Sequence, residues 1–199
     1  MAKTARRVVV AMGLVAVGLA GTEPAAFGAS AQHAQVITLM VLVDDSASVP
    51  ANILAQARKD AARVFQNIDV EIVWLEQNGA RLEDAAALRS VVVVHLLTRE
   101  MTDRMHAPDP VLGIAAGTGW ATVFYNRIED LSPTRDANDI ACMLGHVIVH
   151  EIGHLLLRSK AHSHSGIMKA VLNMQLAARG GLFFTATQAH LIRTTLGAS

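Results

Sequence analysis

The sequence is short of the usual covalent and electrostatic supports. It holds one cysteine, Cys142, in 199 residues. No intramolecular disulfide can form, so the fold must stand on its hydrophobic core or on a metal. Cys142 lies in an apolar helical run and reads as a buried, inert thiol. Aromatic residues make up 4% and the formal net charge is zero. Nucleic-acid binders carry a basic excess on one face; with no such excess and no long charged runs, nucleic acid is excluded as a partner. A further absence bears on chemistry: no aspartate or glutamate follows Glu151, down to Ser199.

What is present is hydrophobic, 52% of the chain. That is ample for one core, and the length predicts one domain. The first 31 residues read as an export signal. Lys3, Arg6 and Arg7 supply a positive start, residues 8–21 are apolar or small, and Ala29-Ser30-Ala31 offers a cleavage site before Gln32. The apolar stretch is short of the roughly 20 residues that span a bilayer. An uncleaved anchor is the alternative reading, and Arg6-Arg7 hints at twin-arginine export. The expectation is an exported protein, periplasmic or secreted, with one catalytic domain over residues 32–199 and no stable membrane association after cleavage.

Residues 36–43 form a continuous apolar run of strand length, followed by Asp44-Asp45-Ser46 as loop. Residues 50–67 predict an amphipathic helix with Ser48 as its cap. Residues 69–75 alternate as a strand, and Asn78-Gly79 marks a turn. Residues 90–97, rich in β-branched side chains, predict a central strand, with His95 as a core or face histidine. Residues 98–110 read as loop, 111–115 as a short edge strand and 120–128 as a further strand. A long helix is expected from about Asp136 to Leu157. An irregular stretch follows, and a Thr185-to-Gln188 capping box opens a last helix. This order predicts an α+β fold, a mixed sheet packed on helices.

The chemistry centres on His150-Glu151-Ile152-Gly153-His154. Residues i and i+4 share a helix face, so both imidazoles can reach one zinc ion at about 2.0 Å. Glu151 then stands beside the metal, placed to take a proton from a zinc-bound water and deliver it to a leaving amine. Catalytic zinc keeps three protein ligands and one open position. Because no carboxylate follows Glu151, the third ligand is His162, His164 or His190, unless the chain doubles back to an upstream acid. His146, four residues before His150, has Val147 where a base would stand, and it reads as a supporting or packing residue.

The segment from His146 to Met168, HVIVHEIGHLLLRSKAHSHSGIM, resembles the active-site segment of the metzincin metallopeptidases. Their pattern is H-E-x-x-H-x-x-G-x-x-H, followed by a methionine-bearing turn beneath the metal. Gly153 fits that pattern, and Gly166-Ile167-Met168 matches the Met-turn. Ser163 after a histidine resembles the matrix-metalloproteinase-like branch. The sequence departs from the pattern at Leu157, in the place of the glycine, and at Lys160, in the place of the third histidine. The nearest histidine is His162, two residues late, which makes it the expected third ligand, with His164 next. Residues 158–161 must then turn the chain without glycine.

The resemblance implies a zincin-like fold, a Zn²⁺ cofactor and a zinc-dependent endopeptidase. Glu151 would be its base, His150, His154 and His162 its ligands, and peptides or proteins its substrates. Residues 111–115 would pair with an extended peptide. Tyr125 is either an oxyanion group or a strand aromatic. Two other readings stay open: an inactive zinc protein that captures peptides or partners, and a structural zinc closed by His164.

Overall fold

The computed structural model describes residues 36–75, 91–117, 119–132, 136–178 and 181–197. The export signal and the Asn78-Gly79 turn lie outside them. Strand β1, Ile37–Asp45, leads into helix α1, Ala51–Gln66, and strand β2, Val70–Leu75, pairs parallel to β1. This is a βαβ unit, and α1 buries Ile53, Ala57, Ala61, Val64 and Phe65 at helical spacing. Strand β3, Val91–Leu97, also pairs parallel to β1. Strand β5, Trp120–Phe124, pairs parallel to β3, and β4, Gly113–Ala116, returns antiparallel on the outer edge. The order β2-β1-β3-β5-β4 puts β3 at the centre. Its valines are buried on both faces, as a central parallel strand requires.

The fold is α+β, a mixed five-stranded sheet packed on helices. Helix α4, Ala137–Leu157, lies within the main core alongside α1. It is long and apolar enough to cross a membrane, yet 83% of its most apolar window is buried inside the protein. Asp136 caps it, accepting from the amides of Asn138 and Asp139. The opposite sheet face carries Leu42, Val91 and Val93 with Met40, Leu75 and Trp120. There His95 lies 2.8 Å from the Asp44 carboxylate and stacks on Trp120, so it is a partnered face histidine.

Several expectations are corrected. Asp44 and Asp45 belong to β1, because their backbones pair with His95 and Leu96. Ser48 does not cap α1. Its φ is +54°, and the Asp45 carboxylate accepts the Val49 amide instead. Residues 98–110 are not all loop: α2, Arg99–Met105, starts on Thr98, whose hydroxyl accepts the Met101 amide. The strand expected over residues 120–128 stops at Phe124, and α3, Tyr125–Leu131, follows. These two short helices secure each other, Thr102 donating to Asn126 in a buried hydrogen bond. Arg127 donates to the carbonyls of Ala107, Pro108 and Val111, which fixes α3 beneath the loop. A short helix α5, Met174–Ala178, interrupts the irregular stretch. The capping box is present, Thr185 and Gln188 each receiving the other's amide, ahead of α6, Ala186–Gly197.

Helix α4 ends without glycine. Arg158 takes the left-handed conformation, φ 49° and ψ 38°, and its amide and that of Ser159 bond back to the last turn. A side chain there costs about 1–2 kcal/mol relative to right-handed backbone. Arg158→Gly is therefore expected to raise stability by about 0.5–1 kcal/mol net of glycine's greater unfolded-state freedom. A denaturant midpoint moving upward at constant slope checks this; a downward shift contradicts it.

Candidate metal centre

His150 and His154 stand one turn apart on α4, and the chain leaving Arg158 brings His162 to meet them. One donor atom from each of the three lies within 4.8 Å of the others. The ring centroids are 4.7, 5.3 and 5.0 Å apart around a common point. The burial is graded, His150 buried, His154 half-buried and His162 exposed, so the point opens to solvent on the His162 side. His164 is exposed and is not part of this group, and His190 is exposed on α6.

Backbone carbonyls orient two of the rings. His150 Nδ1 lies 2.7 Å from the Ile167 carbonyl, and His154 Nδ1 lies 2.7 Å from that of Ser159. A carbonyl only accepts, so each Nδ1 carries the proton and each Nε2 presents a lone pair. Those two Nε2 atoms are 3.1 Å apart. Burial, together with the neighbouring imidazoles, pushes His150 down to about 4, and burial pushes His154 down as well. Both rings are thus neutral near pH 7, with lone pairs facing each other. A cation between them resolves that repulsion, and the separation is close to the roughly 3.3 Å of two ligands on tetrahedral zinc. Three imidazoles with one open side fit Zn²⁺, and carbonyl-held Nδ1 groups are the usual support for such ligands.

Beneath the rings, Gly166 has φ +74° and turns the chain through Ile167 and Met168, both fully buried. The Met168 carbonyl accepts the Ser163 amide at 2.8 Å, closing the loop that carries His162. Met168 packs directly on α4 at Gly153, where a Cβ would lie 2.4 Å from its sulfur. A side chain at position 153 would have to displace the end of Met168 and press on the Phe184 ring, 3.0 Å from the same Cβ.

Glu151 is 6% exposed and points toward β4. A Cβ on Gly113 would lie 2.6 Å from its Cγ and 2.8 Å from its Oε1. Burial lifts its carboxyl to about 7, and a hydrogen bond from the Ala115 backbone opposes the rise. The result is a carboxyl that titrates near neutral pH, on the helix turn between His150 and His154, suited to taking up and releasing a proton.

The remaining candidates lie elsewhere. His146 is fully buried, with Nδ1 2.7 Å from the Cys142 carbonyl of its own helix. Burial raises the Cys142 thiol to about 11, which keeps it inert. Tyr125 is buried at the start of α3, not on a strand, and lines a separate cleft of about 360 Å³ with Ser48, Thr98 and Glu129. Sequence reasoning missed the carbonyls of Ser159 and Ile167 and the contact of Gly113 and Ala115 with Glu151. Backbone groups leave no mark in residue identity, although Gly113 within an edge strand is a signal of close approach.

No family model matches the sequence, and no curated protein matches it. Solved structures do. A zinc-dependent peptidase from Methanocorpusculum labreanum superposes with a TM-score of 0.54 over 77% of this chain and 99% of its own, at 13% identity. An archaemetzincin from Methanopyrus kandleri is similar at a TM-score of 0.45 and 14% identity, over 84% of this chain and 99% of its own. The fold of this chain is that of the Methanocorpusculum zinc-dependent peptidase.

Proposed function

We propose that the chain is a zinc-dependent endopeptidase of metzincin type. The observation that carries this reading is a group of three imidazoles with one ligand atom of each within 4.8 Å of the others, on the helix that also carries the buried Glu151 carboxyl and the loop that follows it. The zinc-dependent peptidase with the same fold adds to it. His150, His154 and His162 hold the metal, and Met168 supports it from below. Bound zinc supplies a Lewis acid that polarises the scissile carbonyl and lowers the pKa of water from 15.7 toward about 7. Glu151 accepts the proton of the attacking water and returns it to the leaving nitrogen. The edge of β4, unpaired among the described residues, receives the substrate backbone by strand addition. Ser163, which follows His162 and whose amide bonds to the Met168 carbonyl, supports a place in the matrix-metalloproteinase-like branch.

Peptide cleavage by the purified protein, abolished by a chelator and restored by zinc, tests the reading; cleavage indifferent to both contradicts it. Gly113→Ala displaces the Glu151 side chain while leaving the three histidines in place. It is expected to lower turnover about 10²-fold, the scale set by a misplacement of about 1 Å, at unchanged zinc content. Unchanged turnover would show that Glu151 needs no such seat. An inactive peptide-capturing zinc protein is the other reading, and nothing in the geometry of Glu151 favours it.

We also propose that residues 1–31 direct export, on the strength of their positive start, apolar middle and Ala29-Ser30-Ala31 site. Intact-mass measurement of protein recovered outside the cytoplasm is expected to give a chain starting at Gln32. A mass retaining Met1 contradicts cleavage.

A further inference from the structure

From Ile152 to Ser199 the sequence contains no carboxylate side chain, while Arg158, Lys160 and Lys169 lie in that segment. All three are exposed, and none forms an ion pair with a described residue. Hydrogen bonds tie their chain neighbours to the histidine cluster. The Ser159 carbonyl, between Arg158 and Lys160, holds His154. Lys160 stands two residues before His162. Lys169 follows Met168, whose carbonyl binds the amide after His162. Three exposed cations, unpaired among the described residues, are therefore carried by the chain segment that brings His162 to the cluster. The acid at the centre is Glu151, which is buried. On the β4 side, Asp109 is already engaged by Arg127. Cations gathered around an opening raise the local concentration of negative ligands.

We propose that this wall makes the cleft selective for acidic peptides, with Asp or Glu side chains of the substrate lying along residues 158–169. The inference rests on the peptidase reading insofar as that reading lays a peptide in the cleft. The test separates the two by measuring binding apart from hydrolysis. Three labelled peptides of one sequence, differing only in Glu, Gln or Lys at the flanking positions, are titrated by fluorescence anisotropy against the zinc-loaded Glu151→Gln protein. The Glu peptide is expected to bind about fivefold or more tightly than the Gln peptide, as two or three exposed charge pairs provide, and the Lys peptide most weakly. The advantage shrinks between about 50 mM and 500 mM salt, where the screening length falls from roughly 14 to 4 Å. Lys160→Gln/Lys169→Gln, both exposed positions, is expected to remove most of the Glu-to-Gln ratio, Arg158 keeping the remainder, and Lys169→Gln alone to lower it less. Equal affinity for the three peptides, or a ratio unchanged in the folded double variant, overturns the proposal. Acid-selective binding by a protein that cleaves none of the three peptides supports the wall and removes the peptidase reading.

Discussion

Glu151→Gln lowers peptide hydrolysis by about 10²–10⁴-fold, the range that positioned proton transfer contributes, while zinc content stays the same. The same substitution stabilises the zinc-free protein at neutral pH. The sign follows from the carboxyl's environment. Burial raises its pKa from 4.5 in the unfolded chain to about 7 in the fold. Between those values the folded state binds more protons, so stability falls as pH rises from about 4.5 to 7. Above pH 7 the full penalty applies, roughly 3 kcal/mol for a shift of this size. Glutamine fills the same volume, accepts the Ala115 hydrogen bond and never ionises. The expected result is an inactive variant that melts several degrees higher than the unaltered zinc-free protein. A residue that merely packs would lose stability on substitution, and turnover would fall only with the folded fraction. Activity within a factor of two of the unaltered enzyme contradicts the role given to Glu151.

Zinc is expected to raise the melting temperature, and His162 is expected to be necessary for the effect. At a free concentration of 100 times its dissociation constant, a ligand that binds only the folded state adds about 2.7 kcal/mol. For a chain of this size that corresponds to roughly 5–11 °C. His162→Ala removes the shift, because two imidazoles remain where catalytic zinc requires three protein ligands. His164→Ala retains it, since His164 is outside the cluster. A shift lost in His164→Ala and kept in His162→Ala would mean that the loop closes differently around the metal.

The parts of the fold read from the sequence were those whose cause is local. The valine run in β3, the apolar face of α1, the Asp136 start of α4 and the Thr185–Gln188 box each fix backbone through neighbouring residues. Helices α2 and α3 were missed because, apart from the Thr98 cap on α2, their support is tertiary. Thr102 meets Asn126 across 24 residues, and Arg127 reaches back to Val111 and beyond. Periodicity carries no trace of such partners. The site divides along the same line. Spacing alone put His150, Glu151 and His154 on one face of a helix. Bringing His162 to the same point depends on Arg158 adopting left-handed backbone, which residue identity argues against, since that conformation favours glycine. The Ser163–Met168 closure and the two carbonyls behind the histidines are likewise backbone features. They are the elements that bring a histidine two residues late in register to the other two.

The most direct test is zinc content per chain, by elemental analysis of the protein after zinc reloading, for the unaltered sequence, His162→Ala and His164→Ala. The account predicts one zinc per chain in the unaltered protein and in His164→Ala, and none in His162→Ala. A reloaded unaltered protein without zinc, or His162→Ala retaining a full equivalent, would contradict the three-histidine centre and the peptidase chemistry built on it.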